Sequence, residues 1–237
     1  MIKSTLVETY EKIGGLFMIN IYLVRHGQTY LNKYFRIQGL SNAPLTVKGV
    51  ADAVDAGKRL SNIKFDHAYS SDMPRAYDTG KYILKQNPSS LEEPIMDTAF
   101  REENFGYFEG NDSEQAWHQI GGPKGIGSYG EMIDKLGMGG TADLIAEADP
   151  YGDAETDSDI RARFMPGLKK VIQNAKDGEN ILIAAHGTII RWAVDQFANS
   201  NIDVSESILN GSVSKLTAEP DGTNIKVEYY NRKDENI

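Results

Sequence analysis

Two histidines, each followed by glycine at the end of a short apolar run, are the side chains in this sequence best placed to do chemistry. His26-Gly27 closes the run from Ile19 to Arg25, and His186-Gly187 closes the run from Asn180 to Ala185. Both runs are brief and aliphatic, which predicts buried parallel strands rather than helices. Ligands of open α/β sheets gather at the carboxyl ends of such strands, so Arg25 and His26 beside a glycine outline an anion site with a reactive base. A third run, Phe65 to Ser70, leads into Ser71-Asp72-Met73-Pro74-Arg75. There Ser71 or Asp72 is expected to cap a helix, Pro74 to sit in its first turn, and Arg75 to point back towards the strand ends. A cation at a helix N-terminus opposes the macrodipole, so Arg75 is better explained by an anion that it meets than by helix stability. Arg25 and Arg75 offer forked donors that match tetrahedral phosphate oxygens, while the two imidazoles offer one nucleophile and one hydrogen-bond donor. The four fit a phosphoryl group and suit zinc poorly, because adjacent arginines repel a dication.

A proton donor is sought in Phe100 to Gly110, where acidic groups are mixed with four aromatic rings. A carboxyl held against rings is poorly solvated, which raises its pKa and suits it to give up a proton near neutrality. Glu102, Glu103 and Glu109 all qualify on that ground, and composition does not choose among them. His67, inside the predicted strand, reads as a packed or partly exposed histidine rather than a catalytic one. His118, beside Trp117, reads as a surface helix position.

Strand-to-helix units recur around these residues, which predicts an α/β three-layer sandwich: a mostly parallel sheet with helices on both faces. Thr46 is expected to cap a helix from Val47 to about Leu60 with Val47, Val50, Ala51, Val54 and Leu60 on its buried face. Asp157 or Ser158 would cap the helix bearing Ile160, Phe164, Leu168, Val171 and Ile172, kinked at Pro166-Gly167 and stopped by Gly178. Thr188 opens a helix to about Phe197, and a hairpin around Pro220-Asp221-Gly222 closes the fold. Residues 33–46 read as a loop able to drape over the site. From about 111 to 154 eight glycines fall between Gly121 and Gly140, among apolar residues such as Trp117, Met132 and Leu144. This stretch reads as a helical insertion forming a cap, its glycines serving as turns, and it is expected to govern which substrate is accepted. Residues 1–17 read as an N-terminal extension, with Met18 as the expected natural start of the domain over 18–237.

The 237 residues, 40% hydrophobic and 25% charged, can bury one sizeable core. With no cysteine, thiol catalysis, disulfides and thiolate zinc sites are excluded. A net charge of -9 argues against nonspecific binding to nucleic acid or an anionic membrane surface, and only the pocket itself must be positive. No apolar run is long enough for a membrane span and no signal peptide is visible, so a cytoplasmic location is expected.

The chain resembles the histidine phosphatase superfamily, the phosphoglycerate mutase-like proteins. The resemblance rests on Leu23-Val24-Arg25-His26-Gly27-Gln28-Thr29 with Asn32, on Ser70-Ser71-Asp72 with Arg75-Ala76 and Thr79, on Arg101-Glu102 with Phe105-Gly106 and Glu109-Gly110, and on Ala185-His186-Gly187 with Ile190-Arg191. It implies that His26 is the nucleophile, forming a phosphohistidine, that Arg25, Arg75 and His186 hold the phosphate, and that Glu102 is the proton donor, with Glu103 and Glu109 structural. Asn32 would join the phosphate pocket, Gly39, Gly187 and Thr188 are further candidates for binding phosphate or substrate, Gln28 and Gln38 are ranked below the core set, and neither metal nor cofactor is implied. The expected partner is a phosphorylated small molecule. The family's mutases usually carry Glu-Ser after Arg-His-Gly and Trp before the Asn, whereas this chain has Gln28-Thr29 and Leu31. A phosphatase of small phosphomonoesters is therefore the first expectation and a phosphoglycerate mutase-type transfer the second. A phosphate-binding regulatory module without turnover comes third, since every catalytic position named is intact.

Overall fold

The computed structural model describes residues 18–198 and 202–234; the N-terminal extension to residue 17 lies outside them. Six strands form one sheet: β1 (Ile19–Arg25), β2 (His67–Ser70), β3 (Ile95–Met96), β4 (Asn180–Ala185), β5 (Val213–Ala218) and β6 (Lys226–Arg232). Their order is β3-β2-β4-β1-β5-β6. The first four strands in that order run parallel, and β5 and β6 add an antiparallel edge. Arg25 thus lies opposite Ala185, which sets His26 beside His186.

Alternation along β1 divides the core into two layers. Ile19, Ile21 and Leu23 pack with α6 (Asp157–Gln173) and α7 (Gly187–Phe197), while Tyr22 and Val24 pack with α2 (Val47–Arg59) and α3 (Pro74–Leu84). A short α1 (Tyr30–Lys33) precedes the loop of residues 34–46, and α4 (Ser113–Gly121) and α5 (Tyr129–Ala148) occupy the stretch read as an insertion. Helix α5 breaks at Gly137. This stretch shares a third apolar cluster with Ile37, Phe105 and Phe108 from outside it, so its removal would strip the cover from residues next to the site. No helix among the described residues is long and apolar enough to cross a membrane.

Several local expectations are corrected. Helix α2 buries Gly49, Asp52, Ala53, Ala56 and Gly57, with Leu60 just beyond, and leaves Val47 89% exposed. The small residues are selected by close approach: a Cβ on Gly49 would lie 2.0 Å from Gln28 O, and one on Gly27 would lie 2.0 Å from Gly49 O. Helix α3 begins after Met73 with no side-chain cap, because Ser71 Oγ accepts from Met73 N and the Asp72 carboxylate accepts from Arg101 Nε at 2.8 Å. Helix α6 is capped by Thr156, with Asp159 closing a capping box. The Asp157 carboxylate accepts instead from Trp192 Nε1 at 2.7 Å. The helix continues through Pro166-Gly167 and ends at Gln173, not at Gly178. His67 Nε2 donates to Glu179 Oε2 at 2.9 Å, and His118 is exposed, as read from the sequence.

Gly49→Ala gives a direct check on the close approach. Helix propensity alone would favour alanine by about 1 kcal/mol, whereas the clash with Gln28 O should reverse the sign and cost about 1–3 kcal/mol net. Urea unfolding of the variant should show the lowered midpoint.

Candidate active site

The strand ends bring Arg25, His26, Arg75 and His186 together. His26 is 2% exposed and His186 is fully buried, with ring centroids 5.2 Å apart. A carbonyl only accepts, so His26 Nδ1–H donates to Gly27 O at 2.8 Å and the lone pair resides on Nε2. Arg75 Nε–H is shared between His26 Nε2 (3.3 Å) and His186 Nδ1 (3.1 Å). His186 therefore carries its proton on Nε2, which is buried and has no hydrogen-bond partner among the described residues. Burial and the Arg75 charge hold both imidazoles well below the usual histidine pKa, so both are neutral near pH 7.

The cations are fixed from behind. Arg75 donates to Ser41 O (3.1 Å) and Gly39 O (2.7 Å), and burial lowers its pKa to about 10, which leaves it charged. The loop that receives it is clamped by Glu109, whose carboxylate accepts from the backbone N–H of Gly39 (3.1 Å), Leu40 (2.8 Å) and Ser41 (2.9 Å). Arg25 Nη1 donates to Ile208 O while its Nε is buried without a partner. With His186 Nε2 and Gln38 Nε2, this makes three buried, unspent N–H donors in the site.

The three glutamates separate by environment. Glu102 accepts from Thr188 N (2.9 Å) and Ile189 N (2.8 Å), the first turn of α7. Those bonds favour its charged form, but burial outweighs them and the pKa is raised. Arg163 of α6 holds this stretch by donating to Ala99 O, Arg101 O and Glu102 O. Glu103 is 1% exposed and is pushed well above the usual range by burial and by the neighbouring Glu102 and Glu155, but it does not line the cleft. Glu109 serves the loop clamp.

A cleft of about 350 Å³ opens above this cluster, lined by Arg25, His26, Asn32, Gln38, Glu102, Gly187 and Thr188 among others. Gly39 is not in its wall: its N–H is spent on Glu109 and its carbonyl on Arg75, so it positions Arg75 rather than facing a ligand. Thr188 lines the cleft but its backbone N–H is spent on Glu102. Gln28 also turns away, its carbonyl and side chain accepting from Thr46. Sequence reasoning missed Arg36, Arg191 and Asn210 as cleft residues. Arg191 had a readable signal, a lone charge in the buried run Ile189 to Val194, and it donates to Val204 O and Ser205 O at 2.7 Å each. Asn210, whose Nδ2 donates to His26 O at 3.0 Å, had none beyond an ordinary Asn-Gly turn. The stretch from 111 to 154 contributes Ser113, Trp117 and Tyr129 to the walls and none of its acids.

Known proteins resemble this chain along most of its length. The family model for the histidine phosphatase superfamily (branch 1) matches residues 21–124 and 141–231. A 2,3-bisphosphoglycerate-dependent phosphoglycerate mutase of Bartonella tribocorum is 32% identical over 208 residues, covering 86% of this chain and 94% of that protein. The crystal structure of phosphoglycerate mutase from Bacillus anthracis superposes with a TM-score of 0.81 at 31% identity, covering 92% of this chain and 94% of that one. A mycobacterial glucosyl-3-phosphoglycerate phosphatase shares the fold, with a TM-score of 0.66 at 23% identity over 90% of this chain and 98% of its own. With most of its length matched and the Arg-His-Gly and His-Gly strand ends side by side, the chain belongs to the histidine phosphatase superfamily, branch 1.

Proposed function

We propose that the chain is a phosphatase that hydrolyses small phosphomonoesters through a phosphohistidine on His26. The choice between the two imidazoles follows from their tautomers: His26 Nε2 holds a lone pair, while His186 Nε2 holds a proton. A phosphoryl oxygen entering the site competes for Arg75 Nε–H and releases that lone pair for in-line attack on phosphorus. Arg25 Nε, Gln38 Nε2 and His186 Nε2 donate to the phosphoryl oxygens, and two guanidinium groups offset the charge that builds on them. As the P–O ester bond breaks, Glu102 gives its proton to the leaving oxygen. The carboxylate then takes a proton from water, whose oxygen displaces the imidazole from phosphorus, releasing phosphate and restoring neutral His26.

The observation that carries hydrolysis over transfer is the wall of the cleft. Phe105, Trp117 and Tyr129 line it where a bisphosphate would require a second cluster of cations. Arg191 is in the wall, but its guanidinium is engaged by two carbonyls and lies over the Tyr129 ring, which leaves the exposed Arg36 at the rim. The second reading, a phosphoglycerate mutase, is favoured by the names of relatives 31–32% identical over most of their length. Phosphate release from a panel of phosphomonoesters, set beside interconversion of 2- and 3-phosphoglycerate with 2,3-bisphosphoglycerate present, separates the two. Hydrolysis of at least one panel member should exceed interconversion by tenfold or more. Faster interconversion would establish the mutase.

A further inference from the structure

Phe35 combines three properties that ordinary folding does not require. Its φ of 55° places a bulky residue in the left-handed region. Its ring is 77% exposed, so burial does not offset the strain. It also lines the mouth of the cleft.

The backbone around it is pinned from both sides. Ser113 N donates to Phe35 O at 2.8 Å, Ile37 N to Asn111 O at 2.9 Å and Arg36 N to Leu31 O at 2.9 Å. Glycine would adopt this φ at no steric cost, so the pinned backbone does not explain the side chain. The neighbouring Tyr30 and Tyr34 are also exposed, yet Lys33 Nζ lies over both rings, at 6.0 and 5.5 Å. Phe35 has no such companion among the described residues.

Across the rest of the cleft the walls are built for flat groups. Trp117 stacks on Tyr129 with ring centroids 4.5 Å apart, and Phe105 meets Trp117 edge-on at 6.0 Å. These rings come from α4, α5 and the acid-bearing loop, whereas Phe35 comes from the loop after α1. We propose that Phe35 is a specificity-determining residue whose exposed ring stacks on an unsaturated ring in the alcohol portion of the substrate, so that the preferred phosphomonoesters carry a flat ring near the ester oxygen. The nature of the substrate rests on the phosphatase reading above, but the recognition of a ring does not require turnover.

The test uses two non-hydrolysable probes, 1-naphthylmethylphosphonate and methylphosphonate, with calorimetric affinities measured on wild type, Phe35→Gly and Phe35→Leu. Glycine suits the backbone, so Phe35→Gly should unfold at a midpoint no lower than wild type. The ratio of naphthyl to methyl affinity should fall about tenfold in Phe35→Gly and remain well below wild type in Phe35→Leu. A ratio within twofold of wild type in Phe35→Gly would overturn the proposal and leave the exposed ring to a contact with another protein. Full retention in Phe35→Leu would overturn it too, by showing that apolar bulk suffices. A wild type that keeps the ring preference, with the ratio falling in Phe35→Gly, yet releases no phosphate from any ester would sustain this proposal and sink the phosphatase reading alone.

Discussion

His26→Ala should abolish turnover while the protein stays folded. The ring's hydrogen bonds are local: Nδ1 to the adjacent Gly27 O, and Nε2 to an Arg75 N–H that His186 shares. Arg75 therefore keeps a partner, and the strand pairing of β1 is untouched. Loss of a covalent nucleophile should lower kcat by roughly 10⁴-fold or more. Wild type quenched during turnover should carry an acid-labile, base-stable phosphoryl label, and the variant none. Label persisting on His26→Ala would move the nucleophile elsewhere, with His186 the nearest candidate.

Glu102→Gln should split substrates by leaving group. Proton donation is worth about 10²–10⁴-fold, so alkyl phosphates should lose that much, while aryl phosphates, whose leaving oxygen barely needs a proton, should lose less than about tenfold. Glutamine keeps one oxygen for one of the two N–H groups, of Thr188 and Ile189, that separate oxygens of Glu102 now serve, and Arg163 still donates to Ala99 O, Arg101 O and the residue-102 carbonyl, so the acid loop should keep its place. The pH profile carries the same assignment with a definite sign. The raised pKa of Glu102 keeps the acid form present to higher pH, so kcat/KM on alkyl phosphates should fall as pH rises through that value, and this limb should vanish in Glu102→Gln. His26 titrates well below the usual 6.5, so no acid limb should appear near that pH. Equal losses on alkyl and aryl substrates would assign the proton to another group.

What could be read from the sequence is what depends on local pattern. The strands at Ile19 and Asn180 and the first-turn position of Arg75 follow from short apolar runs and their punctuation. The buried face of α2 was not legible, because the rule that apolar residues face inward fails where backbones nearly touch: Gly49 and Gly57 are buried while Val47 is exposed. Caps were misplaced by one or two residues wherever a carboxylate had a distant partner, as Asp72 has in Arg101 and Asp157 in Trp192. The choice among Glu102, Glu103 and Glu109 required the family resemblance, since burial against rings is common to the stretch. The structure separates them by which backbone amides each carboxylate reaches. Gly39 illustrates the converse: the sequence reading places it among the binding residues, but its N–H is spent on Glu109 and its carbonyl on Arg75.

The first turn of α7 follows His186 directly and also holds Glu102. One proposed phosphate ligand and the proposed acid are thus bolted to a single peptide turn, so the reach from phosphorus to proton is a fixed dimension of the scaffold. The surfaces that meet the rest of the substrate come from other segments, the loop after α1 and the stretch from Phe105 to Tyr129. Such a chain can change its diet by altering those segments, with the phosphoryl machinery inherited unaltered.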